Sequence, residues 1–355
     1  MLSHATVTVD LAKVTENTRR VVQALGNIEV FAVTKVVSGS PEVARAMLAG
    51  GAVGLAESRL ENAARLREAG IAAPIWLLRA PTPSLAAEAV RVTDVALTNE
   101  LVIAEALSAA AERAGRRYGI VAMVDLGDLR EGVMPEDLPA FLAAADALPG
   151  IDVIGIGASL TCYGAIVPTA DNLGELVALT AAAERQLGRP LIASGGMSSS
   201  LDVVAAGALP GGISSLRVGE SILLGVSTVT REPILGLHTD AITVQAPVIE
   251  CLRKPSKPRG ISAQDAFGQR PVFEDRGIRR RAICAIGRQD VVPEGLTPLD
   301  SRVQVLGASS DHLVLDVEDL PTPPAIGDAI GFVPSYSATL ALFTSPYVQK
   351  VFVGT

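Results

Sequence analysis

Apolar and polar positions alternate along 6–11, and Asp10 stands where a side chain can cap a helix over 11–25. The next apolar run, 29–35, reads E-V-F-A-V-T-K and predicts a fully buried strand from its β-branched residues. From there a rhythm sets in. Strands at 52–56, 74–79, 94–98, 119–125, 151–158, 190–193 and 214–217 are predicted to alternate with helices. The helices fall at 41–50, 58–69, 83–90, 100–114, 135–148, 173–187 and 199–206, with a short last one to 224. Pro41 suits a first helical position, and Gly50, Gly70 and Gly115 suit helix ends. Counted from the 29–35 strand, eight strand–helix pairs point to a (β/α)8 barrel more readily than to an open sheet.

The rhythm stops near Gly225. Beyond it come short β-prone runs at 241–252, 280–286, 302–306, 313–317 and 329–333, separated by turn-rich stretches such as 254–260 and 321–327. This predicts a C-terminal all-β domain. The expected organisation is a barrel over 1–228 followed by a β domain over 229–355.

Composition narrows the function. Hydrophobic residues make up 49% and charged residues 19%, so a sizeable core is expected, and with aromatics at 3% that core should be aliphatic. A net charge of −8 argues against a nucleic-acid partner. Cys162, Cys251 and Cys284 show no C-x-x-C spacing, which argues against a zinc site or a disulfide framework; no metal is expected. The N-terminus lacks the basic-then-apolar pattern of a signal peptide, and no apolar stretch is long enough to span a membrane. A soluble cytoplasmic protein is the default expectation.

The chemistry concentrates where barrel strands end. Lys35 closes the first of them, the position where barrel enzymes keep catalytic side chains. A lone lysine after a strand is ordinarily a solvated surface group, but a lysine placed there can form a Schiff base with a carbonyl substrate or with pyridoxal phosphate. After the seventh strand comes S-G-G-M-S-S-S, with Ser194, Gly195, Gly196, Ser198 and Ser199. Paired glycines admit backbone N–H groups to an anion, and serines add hydroxyl donors. After the eighth comes Arg217-Val218-Gly219-Glu220, whose glycine can again admit a phosphate. A lysine after strand one facing two anion-compatible loops after strands seven and eight fits pyridoxal phosphate.

With these motifs in place the sequence resembles the fold-type III pyridoxal-phosphate enzymes, the alanine racemase-like group, and within it the ornithine racemase branch. The matching stretches are A-V-T-K at Lys35, D-L-G-D-L-R-E-G at 125–132, S-G-G-M-S-S-S at 194–200 and R-V-G-E-S-I-L-L-G at 217–225. Further on they are D-A-F-G at 265–268, G-I-R-R-R-A at 277–282, A-I-G-R-Q-D-V at 285–291 and G-A-S-S-D-H-L-V-L-D at 307–316. The resemblance implies an alanine racemase-like fold and a head-to-tail homodimer whose β domain completes the partner's active site. It puts Lys35 at the Schiff-base position, Arg130 near the substrate carboxylate, and Tyr336 at the phosphate.

Arg217 bears on the reaction. The related decarboxylases read E-P-G-R here and alanine racemases R-P-G, whereas this chain reads R-V-G-E. An arginine keeps its proton, so it can only donate to an unprotonated ring nitrogen. The weaker electron sink favours proton removal and return, hence a racemase. Two family tyrosines are absent: Asp265-Ala266-Phe267-Gly268 stands where the second base lies in alanine racemase, and Ser38-Gly39 follows the lysine. A two-base racemase needs a group on each face. Asp265, Asp311 and His312, expected from the partner, are the candidates for the second. Asp311 also resembles the aspartate that meets the distal ammonium in basic-amino-acid decarboxylases, which implies ornithine or lysine as substrate. Alanine or broad specificity, a non-catalytic pyridoxal-phosphate-binding protein, and a metal-using D-amino-acid aldolase or dehydratase are the alternatives.

Overall fold

The computed structural model describes residues 4–354. Contacts divide the chain into two compact units, one of the stretch up to Asp10 with Ile242–Val353, the other of Leu11–Ala241.

In the second unit eight parallel strands close into a barrel: β2 (Glu29–Val33), β3 (Gly54–Glu57), β4 (Ile75–Leu77), β5 (Val95–Thr98), β6 (Tyr118–Met123), β7 (Ile151–Gly157), β8 (Ile192–Met197) and β9 (Ser215–Val218). The helices around them are α1 (Leu11–Leu25), α2 (Pro41–Ala49), α3 (Leu60–Glu68), α4 (Ala86–Val92), α5 (Leu101–Arg113), α6 (Leu138–Asp146), α7 (Ala170–Leu187), α8 (Leu201–Ala205) and α9 (Glu220–Leu224). Strand β9 pairs with β2 and closes the ring, Phe31 lying opposite Arg217. A buried cluster joins Phe31, Val33, Ala56, Trp76, Val95, Leu97, Val121 and Met123. Within this aliphatic cluster the rings of Phe31 and Trp76 stack with centroids 4.0 Å apart.

The other unit is built on β1 (Thr6–Asp10), β10 (Ile242–Pro255), β11 (Ile278–Cys284), β12 (Leu296–Pro298), β13 (Gln304–Ala308), β14 (Leu313–Asp316), β15 (Ala329–Pro334) and β16 (Gln349–Val353). One sheet runs β12-β15-β10-β11-β14-β13, with β1 on β10 and β16 on β1. The domain is the expected C-terminal β domain, and it also carries a helix, α10 (Tyr336–Thr344). Ser335 caps α10, and Ala338, Thr339, Leu342 and Phe343 bury one face of it.

Both expected domain boundaries move. Strand β1 pairs antiparallel with β10 and parallel with β16, which takes it out of the barrel unit. Residues 229–241 stay with the barrel because the buried Asn17 holds them: its amide donates to the carbonyls of Ile222 and His238, both at 2.9 Å, and accepts the His238 N–H at 2.7 Å. The seventh barrel strand is longer than 190–193. It runs through Ser194, Gly195 and Gly196 to Met197, and only Ser198–Ser200 form a turn after it. Arg279, Arg280 and Arg281 are half-buried, and Arg279 forks onto Asp316 at 2.8 and 3.1 Å.

Candidate active site

Lys35 opens a short 3-10 turn, Lys35–Val37, directly after β2. Its charge acts on Glu57 at the end of β3, on Cys162 after β7 and on Glu220 at the start of α9. The lysine therefore sits among the strand ends of the barrel, as the sequence led one to expect.

Arg217 is 2% exposed and donates to Ser194 Oγ at 2.5 Å and to the Ala158 carbonyl at 2.7 Å. Burial pushes its pKa down to about 10, the nearby Glu131 carboxylate pulling the other way, so it keeps its proton at neutral pH. Ser194, expected in an anion-binding loop, is instead part of β8 and serves Arg217. Ser198 Oγ accepts the N–H groups of Gly219 and Ser221, at 3.2 and 3.3 Å, and so stitches the end of β8 to the end of β9. Ser200 donates to the Gly195 carbonyl at 2.7 Å. Ser199 is different: its hydroxyl is buried and has no hydrogen-bond partner among the described residues. Gly196 has a φ of +96°, a conformation side chains resist, and a Cβ on Gly219 would come within 2.7 Å of Val33 Cβ. Glu220 turns its half-buried carboxylate to Arg231, which leaves only its backbone for an anion.

The loop after β6 is tightly held. Asp125 Oδ1 accepts the N–H groups of Gly127 and Leu129 at 2.7 and 3.2 Å. Asp128 accepts from Cys162, Tyr163 and Ile166 at 3.3, 2.9 and 3.4 Å, fastening the β7 loop to it. Arg130 is exposed and ion-paired with Glu131. Cys162 Sγ lies 3.3 Å from Met197 Sδ; burial raises its thiol pKa, while Arg130 and Lys35 pull it down.

The remaining candidates lie in the other unit. Asp265 is exposed and closes its own turn, Oδ1 accepting the N–H groups of Phe267 and Gln269 at 2.9 and 2.8 Å. Asp311 and His312 are exposed in the turn between β13 and β14, where Asp311 accepts the Ser310 hydroxyl at 2.6 Å and His312 Nδ1 lies 3.4 Å from Ser309 Oγ. Tyr336 is the first residue of α10 and not a loop residue.

Glu57 was missed from the sequence. It fell between the strand read to residue 56 and the helix read from 58, although an acidic residue at the end of a barrel strand is itself a signal. It has no exposed surface and accepts Thr34 Oγ1 at 2.6 Å, Asn62 Nδ2 at 3.1 Å and the Ser58 N–H at 3.1 Å.

Comparison with known proteins adds to this geometry. Residues 9–225 match the family described as alanine racemase, N-terminal domain. The chain is 38% identical over 349 residues to an ornithine racemase of Acetoanaerobium sticklandii, covering 97% of this chain and 98% of that protein. It is 39% identical over 347 residues to a lysine racemase of Thermotoga maritima, covering 97% of each. In fold it is similar to the crystal structure of alanine racemase from Streptomyces lavendulae, with a TM-score of 0.76 at 22% identity, over 100% of this chain and 98% of that one. It is similar too to alanine racemase from Bartonella henselae with covalently bound pyridoxal phosphate, with a TM-score of 0.73 at 17% identity, over 99% and 100% of the two chains.

Proposed function

Because the chain belongs to the alanine racemase family, we propose that it is a pyridoxal-5'-phosphate-dependent racemase that interconverts the L and D forms of a basic amino acid, ornithine first and lysine next. The observation that carries the reading is that Lys35, in the turn directly after β2, and Arg217, in β9, stand on adjacent strands of one closed barrel. The substrate class rests on two relatives, named for ornithine and lysine, that match this chain nearly end to end. That match includes the β domain, which a cofactor-binding protein without catalysis has no need of.

The residues present fit pyridoxal phosphate. The buried Ser199 hydroxyl, without a hydrogen-bond partner among the described residues, is a donor awaiting an acceptor, and the backbone of Gly195, Gly196, Ser198, Gly219 and Glu220, at the ends of β8 and β9, is the proposed remainder of the phosphate site. Tyr336 of a second copy is the further phosphate ligand. The bound cofactor supplies the electron sink that makes a Cα–H bond removable. Lys35 Nζ takes and returns that proton on one face. Arg217, fixed by Ser194 and Ala158, offers a hydrogen bond and no negative charge to the ring nitrogen, which favours return of the proton over loss of the carboxylate. Arg130 holds the substrate α-carboxylate, exchanging Glu131 for it. Asp311 of a second copy meets the side-chain ammonium, and leaving it unpaired with a short apolar substrate sets selectivity. The second proton carrier is one of Asp265, Asp311 and His312; Asp265 has the weakest case, being engaged in its own turn. A head-to-tail homodimer suits the arm between β10 and β11, where Ile261, Phe267, Val272 and Phe273 stand exposed.

The test is a panel of single L-amino acids in deuterated water, following Cα exchange and appearance of the D form. Ornithine or lysine should turn over fastest; faster turnover of alanine removes the basic-substrate reading. Borohydride should fix the cofactor onto Lys35, and the same adduct in Lys35→Ala removes the lysine assignment.

A further inference from the structure

Lys35 lies in a tight turn whose two ends are both bound to the corner between β3 and α3. At its start, the Thr34 N–H donates to the Ala56 carbonyl at 3.2 Å and the Thr34 hydroxyl to Glu57 Oε1 at 2.6 Å. At its end, Ser38 and Gly39 take left-handed φ values of 52° and 62°. Gly39 is packed so closely on Asn62 that a Cβ would come within 2.7 Å of Asn62 Cβ. Arg65 reaches the Ser38 carbonyl and also donates to Asn62 Oδ1 at 3.2 Å, while Asn62 Nδ2 donates to Glu57 Oε2 at 3.1 Å. Thr34, Glu57, Asn62, Arg65 and Ser38 thus form one hydrogen-bonded clamp around the lysine's turn.

Within the clamp Glu57 breaks a local rule. A carboxylate with no exposed surface is costly to bury, and burial raises its pKa in spite of its three donors. A glutamine could accept the Asn62 and Ser58 N–H groups and donate to the Thr34 hydroxyl without that cost. What only the carboxylate offers is negative charge, and the positive charge acting on it is that of Lys35. Local rules broken at a buried position are expected where function requires it. None of the roles assigned above to phosphate, ring nitrogen or substrate uses Glu57.

We infer that Glu57 is a positioning residue for Lys35, holding both ends of the turn that presents the amine and supplying the buried negative charge beside it. The inference rests on the reading of Lys35 as the cofactor lysine. It is tested on cofactor-free protein in three forms: the parent, Glu57→Gln, which removes the charge, and Thr34→Val, which removes the link to the turn. Each is mixed with pyridoxal 5'-phosphate, and the rate at which borohydride-fixable attachment to Lys35 develops is measured. In that step the amine condenses with the aldehyde, forming C=N and releasing one water. Affinity for pyridoxine 5'-phosphate, which has the ring and phosphate but no aldehyde, is measured alongside.

Attachment is expected to slow by about tenfold or more in both variants, with affinity for pyridoxine 5'-phosphate unchanged. Attachment at the parent rate in either folded variant overturns the inference. Equal loss of attachment and of pyridoxine 5'-phosphate affinity also overturns it, by assigning Glu57 to the general structure of the site. Should Glu57→Gln not fold, Thr34→Val decides. A parent protein that never attaches the cofactor at Lys35 fails in a different way, removing the lysine assignment itself.

Discussion

Glu57 and Arg217 are both buried charges, and each is held by neutral partners. For Glu57 this has a thermodynamic sign. Burial raises its carboxyl above the ordinary 4.5, against the donors Thr34, Asn62 and Ser58. A raised acid binds its proton more readily in the folded state, so its contribution to stability is full below the unfolded value and declines as pH climbs through the folded one. Glu57→Gln removes that decline. Relative to the parent, the variant should gain stability as pH rises above the ordinary carboxyl value of 4.5, whatever its offset below that, as read from paired urea melts. For Arg217→Lys the expected change is a loss of about 1–3 kcal/mol, since one ammonium cannot span Ser194 Oγ and the Ala158 carbonyl as the guanidinium fork does. Lys35 was legible as a strand-end residue because it directly follows an apolar run, whereas Arg217 lies inside β9, between Leu216 and Val218. Ser194 was read as part of a loop and lies instead in β8, where its hydroxyl accepts from Arg217, because hydroxyl direction is set by the strand's pleat and not by composition. Glu57 carried a signal in its place at the end of a barrel strand, but the clamp it joins was not legible because its partners, Thr34 and Asn62, come from segments on either side of it in sequence.

Among the elements, the joints between strands carry the site. Gly219 lets β9 close on β2, and a Cβ there would meet Val33 Cβ at 2.7 Å and the Val33 carbonyl at 2.8 Å. Gly219→Ala should therefore cost about 1–3 kcal/mol in a urea melt and weaken pyridoxine 5'-phosphate binding. Asp128 joins two loops. Burial opposes its ionisation, but the N–H groups of Tyr163, Ile166 and Cys162 prevail and hold its carboxyl below the usual value. Such a depressed acid stabilises above its unfolded value, and that stabilisation is lost as pH falls through the folded one. Asp128→Ala should speed amide exchange at Cys162, Tyr163 and Ile166 while the barrel strands stay protected. The strand–helix alternation was legible since each barrel strand is a short apolar run bounded by turn residues. Helix α10 was not: Pro334 and Ser335 read as a turn, and the apolar pattern of Ala338, Leu342 and Phe343 is too short to stand out before its N-cap is recognised.

Across the whole molecule, the fold class was legible and the domain boundaries were not. Nothing local to 6–10 distinguishes a strand that belongs with its sequence neighbours from one that pairs with β10 and β16 at the far end of the chain. A chain beginning at Leu11 should lose protection of the β10 and β16 amides in hydrogen exchange, because both strands lose the neighbour between them. Unchanged protection there would mean that the sheet does not depend on β1. The same topology sets an order of events during synthesis. Strand β1 leaves the ribosome before the barrel strands, yet β10 begins only at Ile242 and β16 ends only at Val353. At about 5–20 residues per second the wait for β10 alone is roughly ten to fifty seconds. Throughout it Val7 and Val9, which the finished sheet buries completely, belong to a strand with two open edges, the kind of segment that recruits other chains. The barrel residues from Leu11 onward emerge in that interval, so a strand made before the barrel is paired only after it, and a nascent chain stalled before Ile242 displays it to whatever chaperone or neighbour is at hand.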